Sequence, residues 1–318
     1  MPDTDLSQSY AVAIKNTLSG QPTAGVSAAE APKDDPDKTG VPPEVYLPSD
    51  DLARVTDLAL ALGRPLLLQG EPGCGKTRLA HSVSHALAMP LEIAYVKSTS
   101  RAQDLLYTYD AVRRLFDSQL GAEGPKDDAG KPLARHARHY VSLGPLGRAI
   151  ARAESGRRSV VLIDEIDKAD LDFPNDLLWE LDRMEFDVPE APGMGHKAAQ
   201  VRPFVIITHN EEKPLPPAFL RRCVFYYLKF PDSQREVERI LAAHGIRADL
   251  SSKAASLISE IRKKDLNKKP GLAELIDWLL YQDAKGTSPD DLDALPDREA
   301  FLKDRADLDR VERDLAAT

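Results

Sequence analysis

The residues best suited to chemistry are Gly70-Glu71-Pro72-Gly73-Cys74-Gly75-Lys76-Thr77, which follow the apolar run Leu66-Leu67-Leu68 and precede a stretch of helical periodicity. Glycines at 70, 73 and 75 let backbone N–H groups converge on phosphate oxygens without side-chain clash. Lys76 supplies a point charge for β and γ phosphates, and Thr77 a hydroxyl for Mg²⁺. A helix from 76 to about 88 aims its positive dipole end at the same anion, so the phosphate-binding set comprises Gly70, Glu71, Pro72, Gly73, Cys74, Gly75, Lys76, Thr77 and Arg78. A plain glycine-rich turn is the competing explanation. It is disfavoured because every fixed position is filled and the flanks read as strand and helix.

A second apolar run, Ser159-Val160-Val161-Leu162-Ile163, ends in Asp164-Glu165. Two carboxylates after a strand, taken alone, are more often a solvated helix start. Downstream of a phosphate loop they read as a Walker B arrangement, with Asp164 in the Mg²⁺ shell and Glu165 polarising the attacking water. The run Pro203-Phe204-Val205-Ile206-Ile207-Thr208 then ends at His209-Asn210. Asn210 at a strand tip could hydrogen-bond a γ-phosphate or that water, although by itself it is only a turn residue. Arg221-Arg222 precede another strand at 223–230. The pair could be surface charge, yet arginine is the residue suited to neutralising a phosphoryl group in transfer.

The elements that must hold these groups follow from periodicity. Residues 1–40 are rich in small and polar types and read as a mobile tail. Residues 50–62 read as an amphipathic helix, 91–96 as a buried strand, 104–120 as a helix, and 144–154 and 171–184 as two more. Strands at 186–188 and 200–202 around Pro192-Gly193-Met194-Gly195 suggest a hairpin. Residues 121–139 break the pattern as a long loop, a feature that is either functional or unstructured. Its basic end, Arg135-His136-Ala137-Arg138-His139, is better read as a solvated face than as an anion contact. From 232 the texture is helical, at 233–244, 252–264 and 271–281, followed from 288 by an acidic, weakly amphipathic helix or tail.

A chain of 318 residues with 42% hydrophobic types can bury a real core. Its net charge of −9 and the want of an appended DNA-binding motif argue against nucleic acid as partner. Two distant cysteines, Cys74 and Cys223, form no disulfide framework and suit a reducing compartment; Cys74 reads as a small loop residue rather than a redox sensor. His81 and His85 stand one helical turn apart with no third ligand at a recognised spacing, so they read as a chance pair. With no basic-then-apolar start and no run of membrane-span length, the cytoplasm is the expected location.

Together, Gly70 to Thr77, Val160 to Glu165, Asn210 and Arg221-Arg222, followed by a helical region, resemble an AAA+ ATPase over residues 41–285. Within that superfamily the chain is most similar to the MoxR group, through Arg64-Pro65-Leu66-Leu67-Leu68-Gln69-Gly70-Glu71-Pro72-Gly73, Gly144-Pro145-Leu146-Gly147-Arg148-Ala149, Asp164-Glu165-Ile166-Asp167-Lys168-Ala169 and Phe186-Asp187-Val188-Pro189-Glu190. The resemblance implies an α/β fold: a P-loop αβα sandwich with a parallel five-stranded sheet at 41–231, a small all-helical lid at 232–285, and an acidic C-terminal helix or tail at 286–318. It implies hydrolysis of ATP with Mg²⁺, Asn210 as sensor 1, and Arg222 as the arginine finger acting on a neighbouring subunit. It also implies a ring, commonly a hexamer, that remodels a protein partner, often one with a von Willebrand A domain. The alternative within the superfamily is a motor of a nucleic-acid-linked replication, restriction or defence system. One departure is plain: Ala273 stands where the family's sensor 2 arginine aligns, so either Lys268 or Lys269 supplies the charge from one turn away or the role is absent. Asn267-Lys268-Lys269-Pro270 faintly echoes a guanine-reading motif but lacks its aspartate, so ATP is the expected nucleotide.

Overall fold

The computed structural model describes residues 9–11, 45–198, 201–231 and 233–316, in two compact units. The first takes in residues 9–11, 49–68 and 80–226, the second residues 45–48, 69–79 and 227–316. In chain order the elements open with α1 (Asp50–Leu62), β1 (Leu66–Gly70), α2 (Lys76–Ala86) and β2 (Leu91–Tyr95). Then come α3 (Ala102–Leu106), β3 (Tyr107–Tyr109), α4 (Ala111–Leu120), β4 (Val141–Leu143), α5 (Pro145–Glu154) and β5 (Val160–Asp164). They continue with α6 (Phe173–Asp176), α7 (Leu178–Arg183), β6 (Glu185–Asp187), β7 (Gly195–Lys197), β8 (Phe204–His209), α8 (Pro217–Leu220) and β9 (Val224–Leu228). Four helices close the chain: α9 (Gln234–Ala243), α10 (Ala248–Lys263), α11 (Leu272–Lys285) and α12 (Arg305–Ala316).

Five strands form one parallel sheet in the order β2-β5-β8-β1-β9, as expected. β5 and β8 are buried along their whole length because helices cover both faces, which is why each reads as an unbroken apolar run. Val160 pairs with Phe204 and Ile163 with Ile207, so the two strands end side by side, at Asp164 and at Thr208-His209. That edge, at the carboxyl ends of the strands, is where open α/β sheets present functional groups.

Val161, Ile163, Val205 and Ile207 share a core with Leu146 and Ile150 of α5 and with Phe173 and Leu177. β2 turns one charge inward, Glu92. It is neutralised from α5 by Arg148 at 2.8 Å and Arg152 at 3.0 Å, the pairing a buried carboxylate requires. α1 starts on Ser49, whose hydroxyl accepts from the Leu52 N–H, and stops at Gly63 in the left-handed conformation.

The helix read over 104–120 is in fact α3, β3 and α4. Tyr107 to Tyr109 pair antiparallel with Val141 to Leu143, a contact between segments far apart in sequence that periodicity cannot register. The hairpin is tighter than expected: β6 pairs with β7, Asp187 opposite Gly195, instead of with 200–202. Of the expected tail, Ser9, Tyr10 and Ala11 are packed, and the rest lies outside the described residues. Tyr10 is fully buried, its hydroxyl 2.8 Å from that of Ser82 on α2 and its N–H 2.6 Å from Asp57 on α1. The loop at 121–139 forms short 3₁₀ turns, with Arg114 of α4 donating to the Ala134 carbonyl.

In the second unit, Trp278 and Leu279 of α11 pack with Val237, Leu241, Leu250 and Ile258 of α9 and α10. The segment after 286 is part of this core, since Leu292, Leu295, Phe301, Leu302 and Val311 are buried in it. Asp307, 1% exposed, accepts the N–H groups of Asn267 and Lys268, so the Asn267-to-Pro270 turn is organised by a carboxylate from α12. Among the described residues, no helix is long and apolar enough to cross a membrane.

Candidate functional site

The phosphate loop leaves β1 at Gly70, where only glycine fits: a Cβ there would stand 2.1 Å from the Leu228 carbonyl oxygen. Gly73 and Gly75 have φ of +75° and +93°, a region that L side chains rarely adopt, and the turn they make opens directly into α2. Lys76 is 6% exposed, and its ammonium donates to the loop's own carbonyls, Gly70 O at 2.6 Å and Glu71 O at 2.9 Å. A buried cation held by two carbonyls and the more distant Cys74 sulfur, all neutral, is matched far better by an anion, so the loop fits nucleotide phosphates. Thr77 and Arg78 fill the next two positions of α2. Burial pushes the Cys74 thiol up against the opposing pull of Lys76, and pushes that of Cys223 up to about 12, which suits inert structural cysteines.

The acidic groups meet at the tips of β5 and β8. Thr208, buried between them, donates its hydroxyl to Asp164 Oδ1 at 2.7 Å and accepts the Glu165 N–H at 2.8 Å. Glu165 has φ of +58°, a left-handed conformation that costs a non-glycine residue on the order of 1 kcal/mol and concentrates at functional sites. Its Oε1 accepts from Asn210 Nδ2 at 3.1 Å, and its Oε2 is ion-paired with Lys168, whose own pKa is raised chiefly by that bond. Asn210 is in turn fixed by Asp167, 2% exposed, whose Oδ2 accepts the N–H groups of Asn210 and Glu212, each at 3.0 Å. The structure therefore brings Asp164, Glu165 and Asn210 together. Sequence reading missed Thr208 and Asp167 as their supports; the signal for Asp167 was a third carboxylate close behind the pair.

Arg222 projects from the end of α8, with Nε donating to Asp182 at 2.5 Å and Nη1 to the Ala218 carbonyl at 2.9 Å. Arg221 is exposed. Lys268 and Lys269 are exposed too, and Ala273 and Glu274 occupy the first turn of α11. On α4 the apolar side chains of Val112, Leu115 and Phe116 are 79%, 60% and 60% exposed, a helical-spaced stripe turned to solvent. Among the described residues, no group of three or more His, Cys, Asp or Glu could hold a metal ion by itself.

The family described as AAA domain (dynein-related subfamily) matches residues 65–223. The chain is also similar to Protein NorQ of Paracoccus denitrificans (strain Pd 1222), with 26% identity over 225 residues, covering 68% of this chain and 72% of that protein.

Proposed function

Because the chain belongs to the AAA domain family, as an AAA+ ATPase of MoxR type, we propose that it hydrolyses ATP to ADP and phosphate with Mg²⁺ and works as a ring on a protein partner. The observation that carries this reading is the β5–β8 tip, where a strained Glu165 is held in place by Asn210 and by the hydroxyl of Thr208.

Lys76 leaves its loop carbonyls to bind the phosphates, while loop N–H groups and the start of α2 hold the remaining oxygens. Thr77, through its hydroxyl, and Asp164, through its carboxylate, would hold Mg²⁺. When bound, Mg²⁺ neutralises charge on the transferred phosphoryl group. Glu165 takes a proton from the attacking water, and Asn210 fixes the orientation of its carboxylate.

Family members form rings, and Arg222, presented from a short helix by Asp182, is suited to reach a neighbour's nucleotide. A hexamer and a von Willebrand A domain partner are the stoichiometry and client the family resemblance favours. The solvent-facing stripe on α4 supports a protein client over nucleic acid, since base or phosphate contacts call for cations and rings rather than Val and Leu.

The test is Mg²⁺-dependent phosphate release by the full chain. Wild type is expected to turn ATP over, and Lys76→Ala to lose nucleotide binding by about 100-fold or more, because the principal phosphate cation is removed from a dry site. No release under any condition, or binding unaffected by Lys76→Ala, would exclude the reading. Turnover that rises only with added DNA or RNA and falls steeply with salt would replace the protein client by nucleic acid.

A further inference from the structure

An arginine of the helical unit reaches the phosphate loop, and it comes from α10 instead of the start of α11. Arg262 has a side chain only 14% exposed and is pinned three ways. Its Nη2 donates to Glu71 Oε2 at 2.7 Å. Its Nη1 donates to the Pro270 carbonyl, the peptide that launches α11. Its guanidinium lies 4.0 Å over the ring of Phe230, just beyond β9. A planar fork that donates in two directions while stacking on a ring is something arginine can do and lysine cannot.

Each partner of Arg262 matters to the loop. Glu71 is the loop's second residue, and its own carbonyl is one of the two oxygens that hold the Lys76 ammonium. Pro270 precedes Gly271, the N-cap of α11, and two residues on the Ala273 N–H donates to the Gly73 carbonyl at 3.2 Å. The first turn of α11 therefore touches the loop at Gly73, while Arg262 holds both the loop at Glu71 and the entry to α11. A carboxylate at position 71 would otherwise stand unneutralised beside a site built for polyphosphate, where a like charge opposes binding.

We infer that Arg262 is a positioning residue for nucleotide binding: it clamps Glu71, cancels the charge of that carboxylate, and ties the phosphate loop to the entry of α11. The inference deepens the ATPase reading and rests on it. Holding the loop in its binding form before the nucleotide arrives removes an ordering cost from the binding step.

A double-mutant cycle of Glu71→Gln and Arg262→Met tests this, with affinity for a fluorescent ADP analogue measured on the full chain and the melting temperature recorded for each variant. Arg262→Met should weaken binding by about tenfold, because it leaves a bare carboxylate beside the phosphates, whereas Glu71→Gln removes the charge, leaves at most a neutral hydrogen bond to Arg262, and should cost about threefold. The double variant should bind no worse than Arg262→Met, and Arg262→Lys should recover only part of the loss. In turnover, KM should rise more than kcat falls. Glu71 is half exposed, so its amide variant puts folding at little risk and keeps the cycle readable. Effects that simply multiply in the double variant, or an Arg262→Met protein that binds like wild type, would overturn the clamp. Wild-type protein that binds no ADP analogue at all would instead sink the ATPase reading beneath it.

Discussion

Replacing Glu165 with glutamine is expected to lower ATP turnover by about 100-fold or more while leaving nucleotide affinity within about threefold. The amide keeps the size and most of the hydrogen bonding of the carboxylate, so the bond from Asn210 and the left-handed backbone at 165 survive. What disappears is the capacity to accept a proton from water. The ion pair with Lys168 also goes, but Lys168 is exposed and its loss leaves the strand tips in place. Single-turnover phosphate release beside equilibrium binding separates the two quantities. Unchanged turnover would remove Glu165 from the chemistry, whatever the fate of binding.

Alanine at Arg222 is expected to reduce turnover of the assembled protein by about 10³-fold, the scale associated with an arginine that stabilises phosphoryl transfer. The loss should exceed that of Arg221→Ala, because Arg222 is the one oriented, by Asp182 and the end of α8. Lysine at 222 should not restore activity, since it keeps the charge and loses the fork. Mixing Arg222→Ala subunits with Glu165→Gln subunits gives the sharper result. Each inactive protein contributes the half that the other lacks, so activity should reappear in the mixture and follow the fraction of mixed interfaces. A mixture as inactive as its components would place the arginine's action within its own subunit or outside the reaction altogether.

How legible the site was depended on whether a residue's role follows from its neighbours in the chain. The turn at Gly70, Gly73 and Gly75 was readable as backbone that glycine alone adopts, since Gly73 and Gly75 have positive φ, whereas the demand for glycine at 70 comes from the distant Leu228 carbonyl. β5 and β8 were readable for a related reason: burial on both faces writes a continuous apolar run. Thr208 and Asp167 were not, because a hydroxyl or carboxylate reveals its function only through what it touches across the sheet. Tyr107 to Tyr109 failed differently. Leu105, Leu106, Val112, Leu115 and Phe116 fall at helical spacing, yet the first two are buried and the last three face solvent, so one apparent helix face was two surfaces with different purposes. Arg262 was invisible as well, lying on α10 and separated from Glu71 by most of the chain.

The packing of Tyr10 bears on how this protein can be shortened. A trimmed version starting at residue 45, the obvious choice from a polar and small-residue leader, would leave a ring-shaped hole between α1 and α2 and strand the Asp57 carboxylate without the N–H groups of Tyr10 and Ala11. Tyr10→Ala alone should cost about 3 kcal/mol by the usual scale for emptying an aromatic site, enough to lower the melting temperature by several degrees. The anchor bears on α2 itself, through the hydroxyl pair of Tyr10 and Ser82.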